Sequence, residues 1–174
     1  MSFDLPRALE VLSRTPSVLE SLLDGLSDPW LDASEGPDTF TPRDVVGHLI
    51  HGEETDWVPR IRLILERGES EPFVPFDRFG FREKIKDRPI DDLLRELRNL
   101  RSDNLDYVRG LGLSASDFDR KGRHPALGMV TLGQLFASWV VHDLGHVRQV
   151  VRVLARQYGE AVGPWKEYLS ILER

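Results

Sequence analysis

The sequence predicts an all-α protein, a four-helix bundle closed by a short C-terminal helix. Three observations carry this. Apolar residues recur at intervals of three and four along four long segments. Two of those segments open with residues that cap a helix. No stretch alternates long enough to make a convincing strand; Val74 and Phe76 alternate too briefly.

The first segment runs from about Leu5 to Leu26, with Leu9, Leu12, Leu19, Leu22 and Leu23 on one stripe. Pro16 interrupts it, and Thr15 is placed to cap a second half, so one kinked helix or two short ones are expected. Residues 27–40 are a loop rich in Asp, Ser, Gly and Pro. The second helix opens on Thr41-Pro42-Arg43-Asp44, a cap, a first-turn proline and a carboxylate that reaches back. It continues to about Glu66, and Pro59 should bend it. Arg67 to Arg88 reads as a loop, but Phe73, Phe76, Phe79 and Phe81 are too apolar to leave in water. This segment should fold back over the bundle as a lid or pocket wall. The third helix spans about Ile90 to Arg109 and stops at Gly110 and Gly112. A loop carrying His124-Pro125 follows. Thr131 and Gln134 form a capping box for the fourth helix, which reaches about Tyr158. A last helix from Pro164 to Leu172 should lay Trp165, Leu169 and Leu172 on the bundle as a cap.

The 174 residues suit one domain over 1–174. With 40% apolar and 30% charged residues of both signs, the chain is globular, not disordered. A net charge of −6 argues against tracking a phosphate backbone, so no nucleic-acid partner is expected. The chain has no cysteine, which excludes disulfides, iron–sulfur clusters and thiolate ligands. Any metal must then sit on imidazole, carboxylate, carbonyl or water. Without a signal peptide or a membrane span, the expected location is cytoplasmic, with no membrane partner.

His142 and His146 stand one turn apart on the strongest helix and share a face with Leu135, Trp139 and Val150. Two imidazoles there would be poorly hydrated and would repel if both were protonated. A divalent ion taking both as neutral ligands removes that conflict. His48, beside the Leu49/Ile50 stripe of the second helix, supplies a third ligand, and His51 is a further candidate one turn on. The spacing alone leaves open that these are hydrogen-bonded core histidines. His142-Asp143-Leu144-Gly145-His146 also invites comparison with the zincin pattern, but Asp replaces Glu there and no sheet edge exists to hold a peptide.

Three segments carry a family resemblance: Thr41-Pro42-Arg43-Asp44-Val45-Val46-Gly47-His48-Leu49, then Arg123-His124-Pro125-Ala126-Leu127-Gly128, then Thr131-Leu132-Gly133-Gln134 leading into His142-Asp143-Leu144-Gly145-His146-Val147-Arg148-Gln149. In this order they resemble the DinB superfamily, over nearly the whole chain. The resemblance implies an up-down-down-up four-helix bundle, often dimeric, so a homodimer is a possible assembly. It also implies a divalent ion, Zn, Ni, Fe or Mn, on His48, His142 and His146. Pocket candidates around that ion are His51, His124, Trp139, Asp143 and Gln149, with Phe76 and Phe79 from the apolar loop. Characterised relatives include bacillithiol- and mycothiol-dependent S-transferases.

Three functions remain in view, each acting on or holding a small molecule. The first is an S-transferase: three imidazoles leave an open position on the ion, and a cysteine-free chain needs a low-molecular-weight thiol as cofactor. Arg148, Arg152 or Arg82 would bind that cofactor's carboxylate. The second is a metal-dependent hydrolase, with Asp143 as an outer partner and Asp56 or Glu53 as alternative bases. The third is a non-catalytic binding module, in which the apolar loop would close over a filled core.

Overall fold

The computed structural model describes residues 3–173 as a four-helix bundle. Its first arm is α1 (Leu5–Leu12) followed by α2 (Thr15–Leu23). Pro16 has no N–H to give to the Leu12 carbonyl, and its ring crowds that oxygen, so the helix breaks between them. Arg14 occupies the cap position of α2, and Thr15, expected there, is instead the first helical residue and is buried. A single turn, α3 (Asp28–Leu31), interrupts the following loop.

The second arm is α4 (Pro42–Thr55) and α5 (Trp57–Arg67), and both bonds of the Thr41/Asp44 capping box form, at 3.0 and 3.1 Å. The break falls at Asp56, not at Pro59 itself. Pro59 deprives the Thr55 carbonyl of its partner, so the ladder opens one residue later and resumes with Arg60 N–H on Asp56 O at 3.1 Å. The segment after α5 folds back as expected: Phe73 and Phe81 are buried, and a short α6 (Arg82–Ile85), read from sequence as loop, docks on α4. Gly47 permits that docking, because a Cβ there would lie 2.7 Å from Ile85 and 2.8 Å from Phe81.

The third arm is α7 (Ile90–Gly110) and the fourth is α8 (Leu132–Arg156), the latter with its Thr131/Gln134 box intact. Between them the expectation of no strand fails. β1 (Lys121–His124) and β2 (Gly128–Thr131) pair as an antiparallel hairpin with Arg123 opposite Met129. Each strand is four residues long with little apolar alternation, so no local pattern reveals it. Tertiary contact holds it instead: the Phe73 N–H donates to Arg123 O at 2.9 Å, and Gly122 packs against Ile64 and Phe73. The C-terminal segment winds as 3₁₀ turns, Gly163–Tyr168 and Ser170–Leu172. Trp165, expected as a buried cap, is 72% exposed, whereas Trp30 packs against Tyr158.

Contacts fix the direction of each arm. Glu20 pairs with Arg98, while Leu12 meets Arg101, so the first arm runs against α7. Arg43 reaches the Arg88 carbonyl and Glu53 reaches Arg101, so the second arm runs with α7. His48 lies level with His142, and Trp57 stacks on Trp139, so α4–α5 opposes α8. Phe3 stacks on Phe136 and Trp30 lies by Tyr158, so the first and last arms are parallel. The topology is therefore up-down-down-up. No helix among the described residues is long and apolar enough to cross a membrane.

Two apolar clusters fill the bundle, one around Leu19, Val46, Leu94 and Val150, the other around Trp57, Ile61, Phe136 and Trp139. A buried charged layer of Glu53, Arg101 and Asp143 separates them.

Candidate metal centre

The histidines come from α4 and α8. Each occupies an inward-facing position one residue away from, or one turn along, a buried stripe. His48 is 5% exposed, and His142 and His146 are half-buried. His142 Nε2 lies 3.2 Å from His48 Nε2 and 3.1 Å from His146 Nε2. Among the described residues these three form the group able to hold an ion, with ligand atoms all within 4.8 Å of one another.

Hydrogen bonding alone does not satisfy this cluster. The His142 Nε2 carries one proton or one lone pair, yet it faces two other ring nitrogens. A cation accepts all three lone pairs at once. A tetrahedral ion with nitrogen ligands at about 2.0–2.1 Å sets ligand–ligand edges of about 3.3–3.4 Å, and one octahedral face sets about 3.0 Å. The two distances fall between these limits, so the residues fit a divalent ion.

The imidazoles are prepared for ligation. Burial lowers His48 to about 3, with His146 and His142 adding to the effect. Burial and then the neighbouring His142 lower His146 to about 4. Both are neutral at pH 7. The His146 Nδ1–H donates to Gln149 Oε1 at 3.0 Å, which leaves Nε2 as the ligating atom. On the other side, His142 Nδ1 faces Asp143 Oδ1 at 3.8 Å, and both atoms are buried without a hydrogen-bond partner. Asp143 Oδ2 accepts from Arg101 at 2.7 Å. Burial opposes ionisation of Asp143, but His142 and Arg101 outweigh it and hold its carboxyl below the usual range. Arg101 also donates twice to Glu53, at 3.0 and 2.7 Å, and takes the Leu12 carbonyl that Pro16 leaves free.

A cavity of about 580 Å³ opens over the three imidazoles. Trp57 and Phe76 form apolar walls, and Phe76 meets His48 edge-on with ring centroids 5.5 Å apart. Asp56 and Arg60 lie on one side, paired at 2.7 Å. Burial raises the Asp56 carboxyl even against the pull of Arg60. His124 reaches in from the hairpin. The N–H groups of Ala126 and Leu127 both donate to its Nδ1, at 3.1 Å each, so its proton sits on Nε2. Burial and Arg60 lower its pKa, which keeps it a neutral N–H donor.

Other expected pocket residues lie elsewhere. His51 packs against Phe76 and Gly80 and is not in the ligand group. Trp139 is fully buried behind His142, stacked on Trp57 with Arg101 over its ring. Phe79 is 44% exposed at the rim, under Arg78 and Arg82. Arg152 is tied to Glu35, and Arg148 lines a different groove. The cavity cations are Arg60 and Arg78, which sequence reading did not single out. Arg101 left a trace: it sits four residues from both Leu97 and Leu105, a charge on an apolar stripe.

Residues 12–150 match the family model of the DinB superfamily. A solved structure, described as YfiT from Bacillus subtilis, a probable metal-dependent hydrolase with an unusual four-helix bundle topology, is similar with a TM-score of 0.75. It is 24% identical, over 88% of this chain and 87% of that one, a likeness that speaks to fold. No curated protein matches the chain.

Proposed function

Because the chain belongs to the DinB superfamily, we propose that it is a divalent-metal-dependent hydrolase with His48, His142 and His146 as ligands and Asp56 as general base. One observation carries this reading: three imidazoles converge on the floor of a cavity that also holds a buried carboxylate. An ion bound there supplies Lewis acidity toward a carbonyl or phosphoryl oxygen and acidifies water.

The chain's own groups do the rest. Asp56, desolvated and therefore more basic than an ordinary aspartate, takes a proton from the attacking water. Arg60 holds that carboxylate in place. As the new carbon–oxygen or phosphorus–oxygen bond forms and the leaving-group bond breaks, Asp56 returns the proton to the leaving group. The His124 Nε2–H is positioned on the cavity wall to donate to oxygen that gains charge. Trp57 and Phe76 exclude bulk water.

A thiol S-transferase is the second reading, favoured by a chain with no cysteine and a cavity roomy enough for a thiol and an electrophile. The open cavity weighs against a filled, non-catalytic module.

Elemental analysis and activity toward p-nitrophenyl esters and phosphates test the hydrolase. Chelation should abolish turnover, and metal should restore it. Asp56→Asn should lower kcat by about 10²-fold or more and remove the acid limb of the pH profile. A cobalt-loaded sample that shows thiolate charge transfer on adding cysteine, yet hydrolyses nothing, would favour the transferase.

A further inference from the structure

We propose that this cavity takes a substrate bearing an oxyanion, a carboxylate or phosphate, and that Arg78 is the residue that reads it. The inference rests on the metal-centre reading above and adds the substrate class. Arg78 belongs to the segment that folds back over the bundle, and it lines the cavity together with His48 and His146. Its charge acts on both of those rings.

Arg78 has no carboxylate partner among the described residues. The adjacent Asp77 is turned back onto the Phe79 N–H at 3.0 Å. The guanidinium is instead held by aromatic faces, 5.1 Å from the Phe40 ring centre and 5.7 Å from that of Phe79. Two rings fix its orientation and leave its N–H fork unused, the arrangement that suits a bidentate oxyanion.

The charges around the cavity point the same way. Asp56 and Arg60 cancel each other, and Arg60 is further engaged over Phe73. Arg78 is thus an uncompensated positive charge at the mouth, and a divalent ion on the floor adds to it. Apolar walls of Trp57, Pro75 and Phe76 strengthen that field. A neutral substrate would leave it unused.

The test uses the metal-loaded full chain and three probes that share one metal-binding group: acetohydroxamate, succinate monohydroxamate and phosphonoacetohydroxamate. Calorimetric titration at physiological ionic strength should show at least one anionic probe binding about tenfold or more tighter than acetohydroxamate, the size expected of a charge-assisted contact. The tighter of the two names the oxyanion. Arg78→Gln should erase the preference while acetohydroxamate binds as before, and Arg82→Gln, which alters a neighbouring surface cation, should keep it. Equal binding of all three probes, or a preference that survives Arg78→Gln, overturns the proposal. If no probe binds metal-loaded protein, the open coordination position itself is refuted, and this inference falls with it.

Discussion

Replacing Asp143 with Asn keeps the side chain's shape and removes its charge, and the structure sets the size of the effect. Asp143, Glu53 and Arg101 are 0%, 2% and 1% exposed. Two carboxyl groups share one guanidinium there, and Asp143, held below the usual range, sits directly beside the ligand His142. A bond to a charged group contributes about 1.5–3 kcal/mol and a neutral one about 0.5–1.5, so the Asn variant should lose about 1–2 kcal/mol. Arg101 keeps both bonds to Glu53, which spares the larger penalty of about 3–5 kcal/mol for stranding a buried charge. For a chain of this size the metal-free melting point should drop by roughly 2–8 °C. Metal affinity should fall by about 10–100-fold, as expected when an outer partner of a ligating histidine is altered. The single carboxamide oxygen stays on Arg101 and turns the NH2 toward His142 Nδ1, so that loss reports the removed charge together with the removed acceptor. Competition against a chromophoric chelator measures affinity, and thermal melts with and without metal measure stability. An Asn variant that melts lower but binds metal as tightly as the parent would refute the reasoning, because the charged layer would then be purely structural.

Gly47→Ala gains about 1 kcal/mol of helix propensity. It also drives a methyl into the buried Phe81 and Ile85, where overpacking costs about 1–3 kcal/mol, so chemical denaturation should show no gain and a net loss of up to about 2 kcal/mol. A raised midpoint would show that the α6 segment yields freely. Metal-free stability should depend on acid pH. An unfolded histidine takes a proton near 6.5, while folded His48 and His146 resist until about 3 and 4. In that window the unfolded chain binds more protons, so stability falls as pH falls below 6.5, by at most about 1.4 kcal/mol per pH unit for each ring, and is flat above it. Urea titrations at pH 5 and 7 check the slope, which His48→Gln should reduce. Gln149→Leu removes the oxygen that accepts from His146 Nδ1, and chelator competition should show about tenfold weaker metal binding with little change in the metal-free melting point.

Local chemistry determined the helical architecture. Leucine and valine spacing marks the arms, Thr41/Asp44 and Thr131/Gln134 mark two starts, and Pro16 and Pro59 announce two breaks, because each of these acts within one or two turns of chain. His142 and His146 were legible as a pair for the same reason, since helical periodicity alone places them on one face. His48 was a third candidate from its place beside the Leu49/Ile50 stripe, and the family pattern named the same three residues. Only the tertiary structure decided that the three Nε2 atoms lie close enough for one ion, because that distance depends on how α4 crosses α8. It also decided the hairpin, whose short strands are held by Phe73 and Ile64 from distant segments. Arg60, Arg78 and Asp56 face the cavity for a similar reason. The break that exposes Asp56 acts with α5 packing, and Arg78 is set by where the aromatic loop lands on Phe40. Sequence spacing records which residues share a face; it does not record which faces meet.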